Sequence, residues 1–315
     1  MNINKPKFWD LNKPNLLAYT LLPLTIFLKI SNFLLSFKKI KKNKTKSICV
    51  GNIYIGGTGK TPTSIKIYKL LNKIGYKPVI GKKFYKNQLD EATIIKNYTE
   101  VIVNNSRKNI LNEAKRNKRN VIIFDDGLQD KNISYNLQIV CFDSSNLIGN
   151  GLLIPAGPLR EKFESLAKYD CVIFKGNNLN NKKFVNEIKQ INKSIKIFYS
   201  FIKIKNLNTI NKSRKYLIFS GIGNPINFKK LLLKNKVNVF KEIIFPDHHE
   251  YNEHDISKIK KFAKQNNLKI ITTEKDFVKL SKKQRKNISV LKIEIGFRKE
   301  KMFMKFLKSK LNEKS

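Results

Sequence analysis

The sequence predicts an α/β fold, in which a mostly parallel sheet is flanked by helices on both faces. From Ser47 onward, short apolar runs typical of buried strands alternate with longer helical stretches, and this is the rhythm of βαβ units. A glycine-rich segment joins the first strand to the first helix, and two adjacent acids end a later strand. These observations favour a sheet that binds phosphate groups beyond the carboxyl ends of its strands.

The predicted strands are short apolar runs bounded by polar or turn residues. They are Ile48–Val50, Pro78–Ile80, Val101–Val103, Val121–Phe124, Gln138–Phe142, Cys171–Phe174, Tyr216–Phe219, Lys269–Thr272 and Ser289–Ile295. The predicted helices are Thr61–Lys73, Glu91–Asn97, Asn109–Asn117, Ile256–Gln265 and Met302–Leu311, with another starting at Asn224-Pro225. Asp255 is the predicted cap of Ile256–Gln265.

A polar segment rich in Asn and Lys, Ile202 to Lys215, has no strong period and predicts a boundary. It separates a phosphate-binding domain, residues 47–205, from a second and smaller α/β domain, residues 216–315. Residues 1–46 form an N-terminal region of their own. The three cysteines each lie in an apolar run without a Cys-x-x-Cys spacing, which indicates reduced core residues of a cytosolic protein.

The N-terminal region predicts a hydrophobic helix from Leu16 to Phe37. Its uncharged part, Leu16 to Leu28, has 13 residues, short of the ~20 that span a bilayer. Six lysines follow between Lys38 and Lys46, and an apolar helix next to a polybasic stretch suits an anionic membrane surface. The helix is therefore expected either to lie on or span a membrane, or to pack on the domain.

The net charge, taken alone, favours a nucleic-acid-binding function. There are 64 Lys and Arg against 23 Asp and Glu, a formal net charge of +41. Lysine, asparagine and isoleucine are, however, abundant along the whole chain, as expected from an AT-rich genome. We therefore expect no specific nucleic-acid partner, but a surface biased toward anions, including phospholipid head groups.

The most specific segment, Val50 to Pro62, reads Val-Gly-Asn-Ile-Tyr-Ile-Gly-Gly-Thr-Gly-Lys-Thr-Pro. Its glycines let backbone N–H groups turn toward one point, and the following helix adds its positive end. Lys60 can place its charge on the β- and γ-phosphates, and the Thr61 hydroxyl can bind Mg²⁺. Tyr54 stands where the general pattern has its first glycine, so the alternative is a glycine turn with a surface lysine. The segment predicts a P-loop NTPase-like sheet.

A second motif, Val121 to Gly127, is a buried strand that ends in Asp125 and Asp126. A carboxylate at this place holds Mg²⁺ beside a phosphate loop, directly or through water. Two adjacent acids repel each other, so cations or hydrogen-bond donors are expected nearby. The alternative is an ordinary Asp-Gly turn.

Further candidate residues lie in three segments. The rigid loop Leu153–Glu161 presents Arg160, which can stabilise charge on a transferring phosphate, and Glu161, which can reach Mg²⁺; a surface ion pair is the alternative. All three histidines fall within seven residues from His248. A zinc site of unfamiliar spacing, a structural histidine, and a catalytic histidine paired with a carboxylate remain open. Asp90 begins a predicted helix, so the local sequence explains it equally well as a helix cap or as a functional residue.

Together and in this order, the motifs resemble those of one family, the tetraacyldisaccharide 4′-kinases, which are the lipid A 4′-kinases of Gram-negative bacteria. The resemblance extends from the N-terminal apolar helix to about Leu280, and its most specific parts are Val50–Pro62, Asp125–Gln129, Leu153–Glu161, Phe245–Tyr251 and Thr272–Lys279. It implies a kinase that uses MgATP to phosphorylate the 4′-hydroxyl of a tetraacyldisaccharide 1-phosphate, a lipid A precursor. It also implies docking of the N-terminal helix on lipids at the cytoplasmic face of the inner membrane.

The resemblance also implies roles for individual residues. Asp90 would be the base toward the sugar hydroxyl, and His248 would raise its basicity or orient it. Lys60 and Arg160 would act on the transferring phosphate. Mg²⁺ and the phosphates would be held by Thr61, Asp125, Asp126 and Glu161. ATP would lie on the loop formed by Tyr54, Ile55, Gly56, Gly57, Thr58, Gly59, Lys60 and Thr61. The oligomeric state is left open.

Two positions depart from the family. Lys82, in Gly81-Lys82-Lys83-Phe84, stands where the family usually has the Arg of Ser-Arg-Gly-Tyr, and Asp130 stands where it usually has a His.

Two rival functions are a membrane-associated GTPase or other P-loop NTPase, and a basic nucleic-acid-binding protein. A GTPase should contain Asn/Thr-Lys-x-Asp, and the segment Thr273–Asp276 has the wrong spacing for it.

Overall fold

The computed structural model describes residues 5–26, 45–85, 89–176 and 182–313. These residues divide into two compact units, each assembled from separate stretches of the chain. The large unit comprises the described residues of Pro6–Phe84, Tyr98–Ile202 and Ile295–Ser315. The small unit comprises those of Met1–Lys5, Tyr85–Asn97 and Lys203–Glu294.

The strands and helices alternate along most of the described chain. The strands are β1 Lys46–Gly51, β2 Pro78–Lys83, β3 Val101–Asn104, β4 Val121–Asp125, β5 Leu137–Asp143, β6 Cys171–Lys175, β7 Lys196–Ile204, β8 Lys215–Ser220, β9 Asn238–Ile244, β10 Lys269–Thr273, β11 Ile288–Leu291 and β12 Ile293–Phe297. The α-helices are α1 Leu16–Thr20, α2 Lys60–Lys73, α3 Leu89–Tyr98, α4 Arg107–Arg116, α5 Lys182–Ile191, α6 Pro225–Lys234, α7 Glu253–Gln265, α8 Glu274–Phe277, α9 Lys282–Arg285 and α10 Glu300–Asn312.

The large unit is built on an eight-stranded sheet in the order β12-β7-β6-β5-β1-β4-β2-β3. All neighbours from β7 to β3 pair in parallel. The central strands β1, β4 and β5 are buried almost throughout, which explains their continuous apolar runs. The register of β1 with β4, which pairs Val50 with Asp125, brings the phosphate loop and the acidic strand end to one edge of the sheet.

The small unit has a parallel four-stranded sheet in the order β11-β10-β8-β9. Residues of β8, β10 and α7 share an apolar core on one side of it, and α6 packs with β8 on the other. The prediction missed β9 because this strand lies at the sheet edge and none of its residues is buried. In the large unit it missed β7, whose mostly half-buried residues form no continuous apolar run.

Three boundaries differ from the sequence prediction. The single strand predicted at Ser289–Ile295 is two strands, β11 and β12, because the N–H of Lys292 donates to the Asn206 side chain (2.9 Å) and the chain then joins the large sheet. The two units also differ from the predicted domains, which were the continuous ranges 47–205 and 216–315. Helix α10 belongs to the large unit, where Phe303 stacks on Phe297, and Tyr85–Asn97 belongs to the small one.

Helix caps account for most helix starts. Asn224 caps α6 as predicted, because its side chain accepts from the N–H of Asn227 at 3.1 Å. Asp255 was predicted to cap the helix Ile256–Gln265, and its side chain takes part in the cap by accepting from the N–H of Asn252, but Asn252 is the N-cap residue. The helix begins earlier, at Glu253, and Asn252 and Asp255 form a reciprocal capping box.

The predicted N-terminal hydrophobic helix, Leu16–Phe37, is described only in part. Helix α1 is capped by Asn15, which accepts from the N–H of Ala18 at 3.0 Å, and a 3₁₀ turn containing Pro23 follows it. Residues 27–44, including most of the lysine run, lie outside the described residues. Of the helices in the described ranges, none is both long and apolar enough to cross a membrane.

The three cysteines lie in the large sheet. Cys49, Cys141 and Cys171 are buried in β1, β5 and β6 and are free thiols, which agrees with the prediction of reduced core residues. Burial raises the pKa of the Cys141 thiol to about 12. These side chains therefore act as small apolar groups of the core.

Candidate active site

The predicted phosphate loop joins β1 to α2 in the large unit. Gly59 caps α2 in the left-handed conformation, with φ at 87°, and Gly56 has φ at 131°. The positive φ requires glycine at this position, and a Cβ there would also displace the stem of Lys175, whose Cδ would lie 2.8 Å away. The first N–H groups of the helix have no partners within it. The loop thus has the form of an anion site at a helix N-terminus.

The buried side chain of Asn52 holds the loop from inside. Its Nδ2 donates to the carbonyl of Tyr54 and to Oγ1 of Thr58, the latter at 3.1 Å. Nε2 of Gln129 donates to the Asn52 carbonyl at 3.0 Å. These bonds fix the curvature of the loop independently of a bound anion.

Lys175, at the end of β6, holds the loop from outside. Its Nζ donates to the carbonyl of Gly57 at 2.7 Å and pairs with Oδ2 of Asp143 at 2.8 Å. Burial raises the pKa of Asp143, but Lys175 and the bonds from Ser145 outweigh it and keep the pKa below its usual range. The sequence prediction missed both Lys175 and Asp143, although each ends a predicted strand in the same way as Asp125.

Tyr54, the residue that replaces a glycine of the general pattern, is buried beside the loop. Its hydroxyl donates to Asp10, and Nδ2 of Asn146 lies 3.3 Å from the hydroxyl oxygen. The neighbouring Trp9 donates from Nε1 to the carbonyl of Pro155 at 3.0 Å. Burial, together with the bond to Asp10, raises the pKa of Tyr54, so the phenol stays protonated. Its side chain therefore fastens the loop to the segment around Asp10.

Asp125 is buried at the end of β4 and accepts three hydrogen bonds. Its Oδ2 accepts from Oγ1 of Thr61 at 2.9 Å and from Nζ of Lys82 at 3.0 Å. Its Oδ1 accepts from Oγ of Ser64 at 3.0 Å. The donors expected beside the acidic pair are thus present. Lys82, 2% exposed, keeps the family's positive charge at this position as an internal partner of the carboxylate.

Asp126 follows in the left-handed conformation, with φ at 63°. Its carboxylate lies 3.7 Å from Nζ of Lys60 and 3.2 Å from NH1 of Arg160. Burial raises the pKa of Asp126, but Lys60, Arg160 and Lys82 outweigh it and hold the pKa below its usual range. The structure therefore brings both predicted phosphate-binding cations, Lys60 and Arg160, to one carboxylate.

The four predicted Mg²⁺ ligands have different surroundings. The oxygens of Thr61 and Asp125, 2.9 Å apart, are the hard donors that Mg²⁺ prefers, and they stand directly after the loop. In the described ranges, no three His, Cys, Asp or Glu side chains are grouped to hold a metal. The residues present therefore fit an ion held by few protein ligands, with water and phosphate oxygens supplying the rest.

Glu161 has a different set of partners from the predicted one. Its Oε1 accepts from Gln129 and from the Tyr169 hydroxyl, each at 2.8 Å, and its Oε2 pairs with Lys168 at 2.5 Å. Its partners are thus Gln129, Tyr169 and Lys168, whereas Asp125 contacts Thr61 directly after the loop. Glu161 anchors the loop that presents Arg160.

Asp130, which departs from the family, has a local role. It pairs with NH1 of the buried Arg107 at 2.7 Å, and NH2 of that arginine donates to the carbonyl of Asp126. Burial raises the pKa of Asp130, but bonds from Asn132 and Arg107 keep it below its usual range. The acid thus supports the turn that follows β4.

In the small unit, Asp90 lies in the first turn of α3, where the helix dipole favours a carboxylate. Its Oδ1 accepts from the N–H of Glu91 at 2.8 Å. Its Oδ2 lies 3.3 Å from Nδ1 of His248 and 3.7 Å from Nζ of Lys279. Burial raises the pKa of Asp90, but His248, Lys275 and Lys279 outweigh it and hold the pKa below its usual range. The structure thus brings the predicted base and its histidine together.

His248 is held by its backbone and by the ring nitrogen Nε2. Its φ is 60°, and its N–H lies 3.3 Å from the carbonyl of Gly221 and 3.0 Å from Oδ1 of Asp247. Its Nε2 lies 3.1 Å from Nζ of Lys275. We call Asp90, Asp247, His248, Lys275 and Lys279 the Asp90 cluster, and Lys60, Thr61, Lys82, Asp125, Asp126 and Arg160 the phosphate-loop cluster.

The buried carboxylate of Asp276 anchors the Asp90 cluster to β8 and β10. It accepts from the N–H of Gly221 at 3.0 Å, from the Tyr251 hydroxyl at 2.9 Å and from Oγ1 of Thr273 at 2.6 Å. Thr273 in turn caps the short helix α8. Sequence reasoning assigned no role to the motif Thr272–Lys279. In the structure, this motif anchors the segment that contains Lys275 and Lys279.

The neighbouring His249 has different contacts. Its Nε2 lies 2.9 Å from Oδ2 of Asp255, and its ring stacks on Phe245 with centroids 4.6 Å apart. This is the structural histidine among the alternatives, adjacent in sequence to the one that contacts Asp90. Sequence reasoning also missed Asp247, Lys275 and Lys279, and the only signal for them was the resemblance.

Comparison with known proteins gives consistent relatives over most of the chain. A family model described as Tetraacyldisaccharide-1-P 4′-kinase (LpxK) matches residues 17–312. A protein named tetraacyldisaccharide 4′-kinase from Pelagibacter ubique (strain HTCC1062) is 42% identical over 315 residues and covers 100% of both chains. One of the same name from Rickettsia canadensis (strain McKiel) is 36% identical over 292 residues, 87% of each chain.

A solved structure supports the fold. The crystal structure of LpxK from Aquifex aeolicus in complex with ATP matches with a TM-score of 0.71 and 23% identity, over 94% of this chain and 100% of its own. At this identity the likeness establishes a shared architecture. It therefore confirms the mostly parallel sheet flanked by helices.

Proposed function

The chain belongs to the tetraacyldisaccharide 4′-kinase family, and we propose that it transfers the γ-phosphate of ATP to the 4′-hydroxyl of a tetraacyldisaccharide 1-phosphate. Family membership makes it a kinase that acts on a hydroxyl group. The observation that supports the proposal most is the pair of Thr61 and Asp125, 2.9 Å apart at the start of α2. Loop, hydroxyl and strand-end carboxylate are the parts that phosphoryl transfer from a nucleotide requires.

The phosphate-loop cluster binds the triphosphate in this proposal. The loop N–H groups and Lys60 contact the β- and γ-phosphates, and Arg160 faces the oxygens on which charge develops. Both cations are already held near Asp126, so little reorganisation is needed when phosphate arrives. Mg²⁺, held by Thr61 and Asp125, would supply positive charge to the phosphate oxygens.

The Asp90 cluster orients the acceptor. Asp90 accepts the proton of the 4′-hydroxyl, and its neighbours keep it an oriented carboxylate. Its pKa below the usual range favours orientation by His248 over raised basicity, the two roles that the resemblance left open. This suits a transfer with a loose transition state, in which positioning contributes more than proton abstraction.

The N-terminal segment docks on the cytoplasmic face of the inner membrane in this proposal. Leu16 is 80% exposed, and Leu17, Tyr19, Leu24 and Ile26 are also exposed. These side chains form an apolar surface next to a lysine-rich stretch of sequence, a combination that binds anionic lipid.

The decisive experiment uses γ-labelled ATP with a tetraacyldisaccharide 1-phosphate in detergent micelles. We expect label at the 4′-position, formed about 10²-fold more slowly by Asp90→Asn. Hydrolysis of ATP without lipid product would favour a P-loop NTPase of another function. Salt-dependent binding of RNA or DNA without lipid product would favour the nucleic-acid alternative.

Docking is tested by flotation with vesicles. The full chain should float with vesicles containing anionic phosphatidylglycerol and less with pure phosphatidylcholine. A Leu16→Ser, Leu17→Ser, Leu24→Ser variant should float less with both. Equal flotation of variant and wild type would remove this part of the proposal.

A further inference from the structure

Lys275 lies at the nitrogen of His248 that faces away from Asp90. Its Nζ is 3.1 Å from Nε2, whereas Oδ2 of Asp90 is 3.3 Å from Nδ1. The imidazole ring thus stands between an ammonium and a carboxylate. In the mechanism proposed above, Lys275 acts on Asp90 only through its charge, and its contact with His248 has no role.

Hydrogen-bond chemistry decides which nitrogen has the proton. An ammonium has three donors and no acceptor, so Nε2 must be the acceptor in its contact with Lys275. A neutral imidazole has one N–H, which is then on Nδ1, the nitrogen that lies 3.3 Å from Oδ2 of Asp90. We propose that Lys275 is a positioning residue for the phosphoryl transfer, which fixes the Nδ1–H tautomer of His248 and thereby orients Asp90.

Lys275 is held for this task from two sides. Its Nζ lies 3.0 Å from Oδ1 of Asp247 and 3.9 Å from Oε1 of Glu91. Burial lowers the pKa of Lys275, but Asp247, Glu91 and Asp90 outweigh it and raise the pKa, so the side chain stays an ammonium. Asp247 also accepts the N–H of His248, which places ring, carboxylate and ammonium in one connected group.

Helix α8 fixes the backbone of Lys275. Thr273 caps this helix, and the buried Asp276 accepts from Thr273 and Gly221, so Lys275 stands between two anchored residues. The backbone position is thus fixed by these bonds, and the direction of the flexible side chain is fixed by the contacts of Nζ with Asp247 and His248. Position and charge are therefore both specified.

Lys279 provides a matched control. Its Nζ lies 3.7 Å from Asp90 and 3.4 Å from Asp276, so Lys279→Met also removes a cation next to Asp90. The described contacts of Lys279 do not include the imidazole of His248. A purely electrostatic role for Lys275 predicts the same behaviour of both variants, whereas a positioning role separates them.

The test is the ¹⁵N spectrum of the histidine side chains in the free full-length protein. The chain has three histidines, and a His248→Gln spectrum identifies the signal. We expect the Nδ1–H tautomer in wild type, Lys275→Arg and Lys279→Met, and a shift toward Nε2–H in Lys275→Met. An Nε2–H ring in wild type, or an unchanged tautomer in Lys275→Met, would overturn the inference. If Lys275→Met does not fold by circular dichroism, wild type and Lys275→Arg decide.

The kinetic consequence rests on the proposed function, but the spectrum does not. With the lipid acceptor, Lys275→Met should lower kcat on the order of 10-fold and leave KM for ATP unchanged, with Lys275→Arg recovering most of the loss. If wild type forms no lipid product, the proposed function fails while the tautomer still decides the inference. Unchanged kcat in Lys275→Met would refute the positioning role.

Discussion

The phosphate-loop cluster and the Asp90 cluster hold their carboxylates in different ways. Asp125 accepts three hydrogen bonds of 2.9 to 3.0 Å from Thr61, Lys82 and Ser64. Oδ2 of Asp90 has two looser contacts, at 3.3 Å to His248 and 3.7 Å to Lys279. The first carboxylate is fixed within its unit, whereas the second keeps an oxygen that is not fully engaged.

The difference corresponds to the two tasks. A residue that supports bound phosphate must not move, and short bonds to buried donors provide that rigidity. A residue that accepts a proton needs a free lone pair, and its neighbours can orient it without saturating it. Substitutions in each cluster test this contrast.

Lys60→Ala should nearly abolish transfer, with kcat lower by about 10³-fold, because a charge directed at the transferring phosphate is lost. The measurement is the rate of label transfer to the lipid acceptor. The matched control is Lys66→Ala, which removes a lysine of the same helix that pairs with Glu300 instead. Retention of a tenth or more of the wild-type rate in Lys60→Ala would contradict the assignment.

Asp90→Asn should lower kcat by about 10²-fold, because the amide cannot accept the hydroxyl proton. The affinity for ATP, measured by titration of the free enzyme, should stay within a factor of two to three of wild type. Wild-type turnover in this variant would show that Asp90 is not the base. A loss of ATP affinity as large as the loss of turnover would place it with the phosphate groups instead.

Lys82→Met should destabilise the protein by about 2 kcal/mol, because it leaves Asp125 with a buried charge that only the two hydroxyl groups oppose. The shift of the urea midpoint measures this cost. The control, Lys66→Met, breaks a partly exposed ion pair and should cost less than about 1 kcal/mol. Equal shifts in the two variants would mean that the buried pair does not fix Asp125.

Tyr54→Phe should have the smallest effect, about 1 kcal/mol of stability, because it removes one hydroxyl and its bonds to Asp10 and Asn146. Asp10→Ala should resemble it, since it removes the acceptor of the same hydrogen bond. The measurement is again the urea midpoint, together with KM for ATP. A double variant that loses the sum of the two single effects would show that the residues act independently.

The two clusters also differ in how far the sequence could predict them. The phosphate loop is local: glycine spacing, Lys60 and Thr61 lie in one segment, and the parallel register of β1 and β4 brings Asp125 beside them. The Asp90 cluster joins α3, the turn at Asp247 and helix α8, which are distant in sequence. No local pattern distinguishes Asp90 from a helix cap, so only the resemblance pointed to it.

The strands also differ in how well the sequence predicted them, and their burial explains the difference. Buried central strands have continuous apolar runs and were predicted, whereas β7 is mostly half-buried, the edge strand β9 has no buried residue, and both were missed. Glu161 shows the limit for single residues. Its role as a metal ligand stays a prediction, whereas its contacts with Tyr169, Lys168 and Gln129 are ones that nothing in the sequence predicts.

The discontinuous make-up of the small unit has a consequence for biosynthesis. A ribosome releases Asp90 early, long before it has made His248, Lys275 and Lys279. Asp90 is therefore without these partners while most of the large sheet is translated. All residues of the phosphate-loop cluster are therefore synthesised first. The residues around Asp90 follow only when the last quarter of the chain emerges.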